Sequence, residues 1–119
     1  MTDSSILFHI TTRHEFQQAQ ASDPEHPMYQ PKGFATEGFI HCSYRQQVVA
    51  TANRIFKGQR DLVLLEIERS RLTCKVIDEN LEGGSELFPH IYGPLPLNAV
   101  IHVHDFPCNA EGLFQELEN

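Results

Sequence analysis

Two stretches of this chain place histidine inside runs otherwise suited to buried strands: Gly38-Phe39-Ile40-His41-Cys42-Ser43 and Phe88-Pro89-His90-Ile91-Tyr92-Gly93-Pro94. A third histidine, His9, stands in the first apolar run, Ile6-Leu7-Phe8-His9-Ile10-Thr11. Side chains alternate across a strand, so Leu7, His9 and Thr11 share one face, as do Phe39, His41 and Ser43, and His90 and Tyr92. A polar group on a buried face needs a partner. The expectation is that these faces converge on one polar cleft walled by aromatic rings.

The order of elements around these stretches points to one domain over residues 1–119, with a core from about 6 to 104. Residues 6–11 read as a strand, and Thr12-Arg13-His14-Glu15 is a capping box that opens a helix to about Ala21. Residues 22–36 contain Pro24, Pro27, Pro31 and Gly33 without periodicity, and read as a long loop of the kind that often lines a binding site. A short strand over 37–42 then leads into Ser43-Tyr44-Arg45-Gln46, a second capping box. The helix it opens has a stripe of Val48, Val49, Ala52, Ile55 and Phe56, and Gly58 is placed to end it. This helix is expected to pack on the apolar strand 61–67. Further strands are read at 73–77 and 99–104, an acidic connection at 79–87, and a weak amphipathic helix in the tail 109–119 through Leu113, Phe114 and Leu117. The alternation of strand and helix stops after the second helix. That predicts an α+β fold with mixed or antiparallel sheets.

Charge and cysteine content narrow the function classes. The formal charge of −7 and the lack of a Lys/Arg cluster argue against bulk nucleic-acid binding. The three cysteines, an odd number without C-x-x-C spacing, favour reduced thiols over a disulfide framework. The first residues lack a signal-peptide pattern, and no apolar run approaches the roughly 20 residues that span a bilayer, so a cytoplasmic protein without membrane contact is expected. Oligomeric state is left unassigned.

His41 and Glu79 are the candidate catalytic residues, with His9, Thr11, Ser43, His90 and Tyr92 as candidate ligand-binding residues. Each has a structural alternative. His41 could be a hydrogen-bonded core histidine, Ser43 a helix N-cap, and His90 and Tyr92 members of an edge strand. Glu79 follows the apolar pair Val76-Ile77, where a carboxylate can be held partly out of water, and Glu37 and Glu86 adjoin the histidine segments. Cys42 falls on the opposite strand face from His41 and reads as core. His102 and His104 share a strand face, but no third ligand accompanies them at a recognised spacing, so no metal site is assigned. Neither a Gly-x-Ser-x-Gly elbow nor a phosphate-binding glycine loop is present.

The chain resembles a family known as domain of unknown function 952 in Leu7-Phe8-His9-Ile10-Thr11, in Glu37 to Ser43 with Gln47 following, in Asp61 to Leu65, in Glu79, and in Phe88 to Leu95. That resemblance implies a fold similar to the ADP-ribosyltransferases, which bind NAD in a cleft between two small sheets. It further implies that His9 matches their first-strand histidine, holding the adenylate ribose or pyrophosphate. Tyr92 or Phe39 would stack on nicotinamide, and Glu79 would stabilise an oxocarbenium-like state. The functional expectation is a nucleotide-like or phosphorylated small ligand, with NAD as a possible substrate. The rivals are a non-catalytic metabolite-binding module and a metal-dependent hydrolase.

Overall fold

Strand β1 (Ile6–Thr12) passes directly into helix α1 (Arg13–Ser22) in the computed structural model, which describes residues 4–81 and 83–116. Of the first capping box only the N-cap half forms: the Thr12 hydroxyl accepts the Glu15 N–H at 3.1 Å and satisfies one orphan donor of α1, whereas the Glu15 carboxyl turns to Thr11. The segment expected to be a long loop is partly ordered into a two-residue strand, β2 (Met28–Tyr29), and one helical turn, α2 (Phe34–Glu37). Gly38 ends that turn at φ 83°, a left-handed conformation that glycine adopts without a Cβ penalty. The helical turn takes up the first residue of the expected 37–42 strand, leaving β3 as Ile40–His41.

The second capping box is shifted by one residue from the expectation. The Gln47 Oε1 accepts the Tyr44 N–H at 2.9 Å, and a 3₁₀ turn over Arg45–Gln47 precedes helix α3 (Val48–Ile55). Ser43 is thereby released from capping. Within the expected stripe, Val48 and Ala52 are buried, Val49 and Phe56 are half-buried, and Ile55 is exposed. Strands β4 (Leu62–Glu68), β5 (Lys75–Glu79), β6 (Phe88–Tyr92), β7 (Leu95–Pro96) and β8 (Val100–Asp105) follow.

Three sheets result, with orders β1-β4-β8, β2-β7 and β3-β6-β5, and every pairing is antiparallel. The chain is therefore α+β without the mixed pairing allowed by the sequence. Strand β4 is central and buried on both faces, which explains its unbroken apolar run. Val63, Leu65 and Ile67 face one core together with Leu7, Tyr29 and Ile40. Leu62 and Leu64 face a second core with Phe8, Ile10, Val48 and Ala52, so α3 does pack on this strand.

The first and third sheets are stapled by Phe8 and Ser43, which exchange two backbone hydrogen bonds of 2.8 Å each. The described part of the tail, 109–116, is not the expected helix; Leu117 lies outside the described residues. Instead, the Asn109 side chain accepts the N–H groups of Glu111 and Leu113, and Asn53 of α3 clasps Phe114 through that residue's N–H at 2.7 Å and carbonyl at 3.3 Å. The three cysteines are free.

Candidate functional site

Antiparallel pairing of β3 with β6 sets His41 directly opposite His90, and side chains at opposed positions share a sheet face. Their rings lie 5.2 Å apart at 76°. Phe39 stacks on His90 at 4.3 Å and 18° and meets the edge of His41 at 4.8 Å, so three rings form one wall.

Each imidazole is backed by a glutamate. His90 Nδ1 is 2.9 Å from Glu79, and His41 Nε2 is 3.0 Å from Glu37. A carboxylate only accepts, so the facing nitrogen carries the proton. In the neutral ring the other nitrogen, Nε2 of His90 or Nδ1 of His41, keeps its lone pair. The same Glu79 oxygen accepts the Tyr92 hydroxyl. That bond and the one from His90 hold the Glu79 carboxyl below its usual range, and the ionised carboxylate in turn pushes the Tyr92 phenol up.

His9 lies behind this wall with both ring nitrogens engaged by the protein. Its Nδ1–H donates to the His41 carbonyl at 2.6 Å, and Nε2 is 2.8 Å from the Tyr29 hydroxyl. Burial lowers its pKa to about 4, so at neutral pH the ring is uncharged. The Tyr29 hydroxyl also meets Thr11 Oγ1 at 2.9 Å, and burial pushes that phenol up. Thr11 thus serves Tyr29 from within the protein.

A cavity of about 520 Å³ opens between the first and third sheets. His9, Thr11, His41, Ser43 and His90 all line it, with Phe8, Tyr29, Phe56 and Phe88 among its apolar walls. Ser43 is buried and lines this cavity. A second cavity of about 340 Å³, lined by Glu79, Asn80 and Glu86, shares Thr51, Arg54, Phe88 and His90 with the first. Gln47 anchors one of its lining residues, donating to Glu86 at 3.0 Å and to the Leu87 carbonyl at 2.8 Å. Tyr92 lines neither cavity and acts through Glu79.

The sequence-derived residues therefore fall into three groups: His41, Ser43 and His90 line the first cavity from the β3 and β6 segments, His9 and Thr11 line it from β1 with their polar atoms engaged within the protein, and Glu79 with Tyr92 lies past His90. Two site residues, Tyr29 and Glu15, were not selected from the sequence. The available signal for Tyr29 was a large aromatic ring alone in a polar, proline-rich stretch. Glu15 was read only as a capping residue. No group of three or more His, Cys, Asp or Glu placed to hold a metal ion occurs among the described residues. His104 instead contacts Glu66 at 2.9 Å. No helix among the described residues is long and apolar enough to cross a membrane.

The class defined by this arrangement is a small α+β domain with a histidine-walled cavity between antiparallel sheets. The chain belongs to the family described as protein of unknown function DUF952, whose model matches residues 10–103. It is similar to CC0527 from Caulobacter crescentus. The crystal structure of that protein is 34% identical, with 92% of this chain and 93% of that chain covered at a TM-score of 0.77. Its solution NMR structure is 32% identical over 93% and 92% of the two chains, also at a TM-score of 0.77. No curated protein matches the chain. The structural matches carry no ADP-ribosyltransferase name, so what the family match establishes is membership alone.

Proposed function

We propose that the cavity binds a small nucleotide-like or phosphorylated ligand and that His90, backed by Glu79, acts on it as a general base. The observation that carries this reading is the pair of glutamate-backed imidazoles, 5.2 Å apart, on one cavity wall. A histidine whose far nitrogen is held by a carboxylate presents a fixed tautomer with its lone pair toward the cavity, the arrangement general-base chemistry requires. Ser43 supports it by lining the same cavity, where its hydroxyl can both donate to and accept from a ligand. Lys32 and Arg54 bring positive charge to the lining of the same cavity, and its aromatic residues suit a planar ring.

ADP-ribosyl transfer from NAD is the finer form of this reading. It is favoured by the ionised Glu79 in a second cavity that continues the first, since an extended dinucleotide would place its glycosidic bond near a carboxylate able to stabilise positive charge. A thermal-shift series with NAD, ADP-ribose and mononucleotides tests the binding. A ligand at 100 times its Kd adds about 2.7 kcal/mol to stability, and His90→Ala and Ser43→Ala should lose most of that gain while remaining folded. Glu79→Gln separates the two forms: an enzyme loses turnover of NAD with binding retained, and a binding module shows no turnover in either protein. If none of these compounds raises Tm at millimolar concentration, the ligand class is wrong.

A further inference from the structure

Glu15, Thr11, Tyr29, His9 and the His41 carbonyl form a line of four hydrogen-bond contacts, at 3.4, 2.9, 2.8 and 2.6 Å in that order. Counting protons along it is informative. With Glu15 ionised and His9 neutral, only three protons are available: one on Thr11, one on Tyr29 and one on His9 Nδ1. His9 Nδ1 must donate to the carbonyl, so Tyr29 donates to His9 Nε2, and the single Thr11 proton serves either Tyr29 or the Glu15 carboxylate. One of the two Thr11 contacts is then left without a proton.

One added proton completes the line in two interchangeable ways. On Glu15, it is donated to Thr11, while Thr11 donates to Tyr29 and Tyr29 to His9 Nε2. On His9, Nε2–H donates to Tyr29, Tyr29 to Thr11, and Thr11 to the Glu15 carboxylate. The two arrangements differ only in where each hydrogen sits along fixed heavy atoms.

We propose that Glu15 and His9 act as one acid–base unit, joined through Thr11 and Tyr29 by a proton relay whose outer end, Glu15, lines both the main cavity and an outer groove formed with Thr12, His14 and Gln18. A donor in the cavity loses its bond to hydrogen as a Glu15 O–H forms. Glu15 then passes that proton to Thr11 Oγ1 while Thr11 gives its own to Tyr29 and Tyr29 gives its own to His9 Nε2. Glu15 ends ionised again and His9 ends as the imidazolium, with no other bond changed. Glu15 is thus a base that recovers its charge while the proton is stored one layer deeper. That a ligand supplies the proton rests on the cavity reading above, whereas the relay itself does not.

The groups around the stored charge are few. His41 and Cys42 face His9 from the β3 segment, Tyr29 from β2, Glu15 from α1, and His90 from β6, with Lys32 and Glu37 on the adjoining loop and turn. Strand β4 presents only Val63 and Leu65 on that side.

An NMR titration of the free protein, following His9 ring nitrogens and the Glu15 carboxyl carbon, tests the relay without any ligand. In the unaltered chain both nuclei should report one shared midpoint. In Tyr29→Phe, which removes the hydroxyl that meets His9, Thr11 and Glu15, the line is cut and the midpoints should separate by about one pH unit or more, the size of coupling that makes two sites titrate as a pair. Glu15→Gln changes only a half-buried side chain; its amide N–H is a permanent donor to Thr11, so His9 should keep its Nδ1–H tautomer to lower pH. Separate midpoints in the unaltered chain would overturn the proposal. So would a His9 titration that Glu15→Gln leaves in place.

Discussion

At the scale of single residues, His9 shows how burial turns an ionisable group into a pH sensor of stability. Its pKa falls from 6.5 to about 4 because the charged ring would lose its water. The unfolded chain therefore binds a proton between those values that the folded chain refuses. Stability rises with pH through that window, is fully present above about 6.5, and is lost as pH falls toward 4. At about 1.4 kcal/mol per unit the loss is about 3 kcal/mol. Denaturant midpoints measured from pH 7 to pH 4 should show this slope, and His9→Gln should flatten it while lowering stability at pH 7. A slope equal to that of the unaltered chain would show that another group sets it. Glu79 shifts in the same direction from the opposite cause, hydrogen bonds from Tyr92 and His90 that favour its charged form, and it likewise contributes stability above its unfolded value and loses it in acid.

Among elements, the tail is held by a side chain rather than by a ladder. Asn53 offers both a donor and an acceptor to the backbone of Phe114, whose ring stacks on Phe106 at 4.9 Å. Asn53→Ala removes both bonds, and a cost of about 1–3 kcal/mol is expected. Hydrogen exchange should then find residues 113–116 unprotected while β1 and β4 keep their protection. The tail also shows where sequence patterning fails. Leu113 and Phe114 read as one face of a helix, yet Asn109 caps its own following residues into a turn, local chemistry that outcompetes a short helix. Capping in front of α3 slipped for a related reason: Ser43 matched the motif, but its backbone was already committed to Phe8. Strands were far more legible, because β4 has a continuous apolar run and the histidine segments alternate. Their sheet partners were not, since pairing is decided by contacts distant in sequence.

For the whole molecule, the three imidazoles could be traced to one region from alternation alone, whereas their division of labour could not. Whether a ring faces a cavity or a neighbouring tyrosine depends on Tyr29, 20 residues from His9 in an aperiodic segment. The two cores give a global readout. Cys42 is buried with its thiol pushed up by desolvation, and Cys108 is buried, but Cys74 is half-buried. A thiol reagent under native conditions should modify Cys74 first, and Cys42 at a rate that follows the stability of the entire fold across denaturant concentration. Labelling of Cys42 independent of denaturant would indicate a local opening instead. The stapling of Phe8 to Ser43 carries a consequence for traffic through the cavity. With those two residues exchanging backbone hydrogen bonds, the sheets on either side cannot part without breaking a paired strand contact. The remaining wall, residues 28–37, is tied by the two-residue β2–β7 ladder and by Tyr29. Entry and exit of any occupant are therefore expected there, and Tyr29→Phe should shorten an occupant's residence time more than it weakens the first encounter.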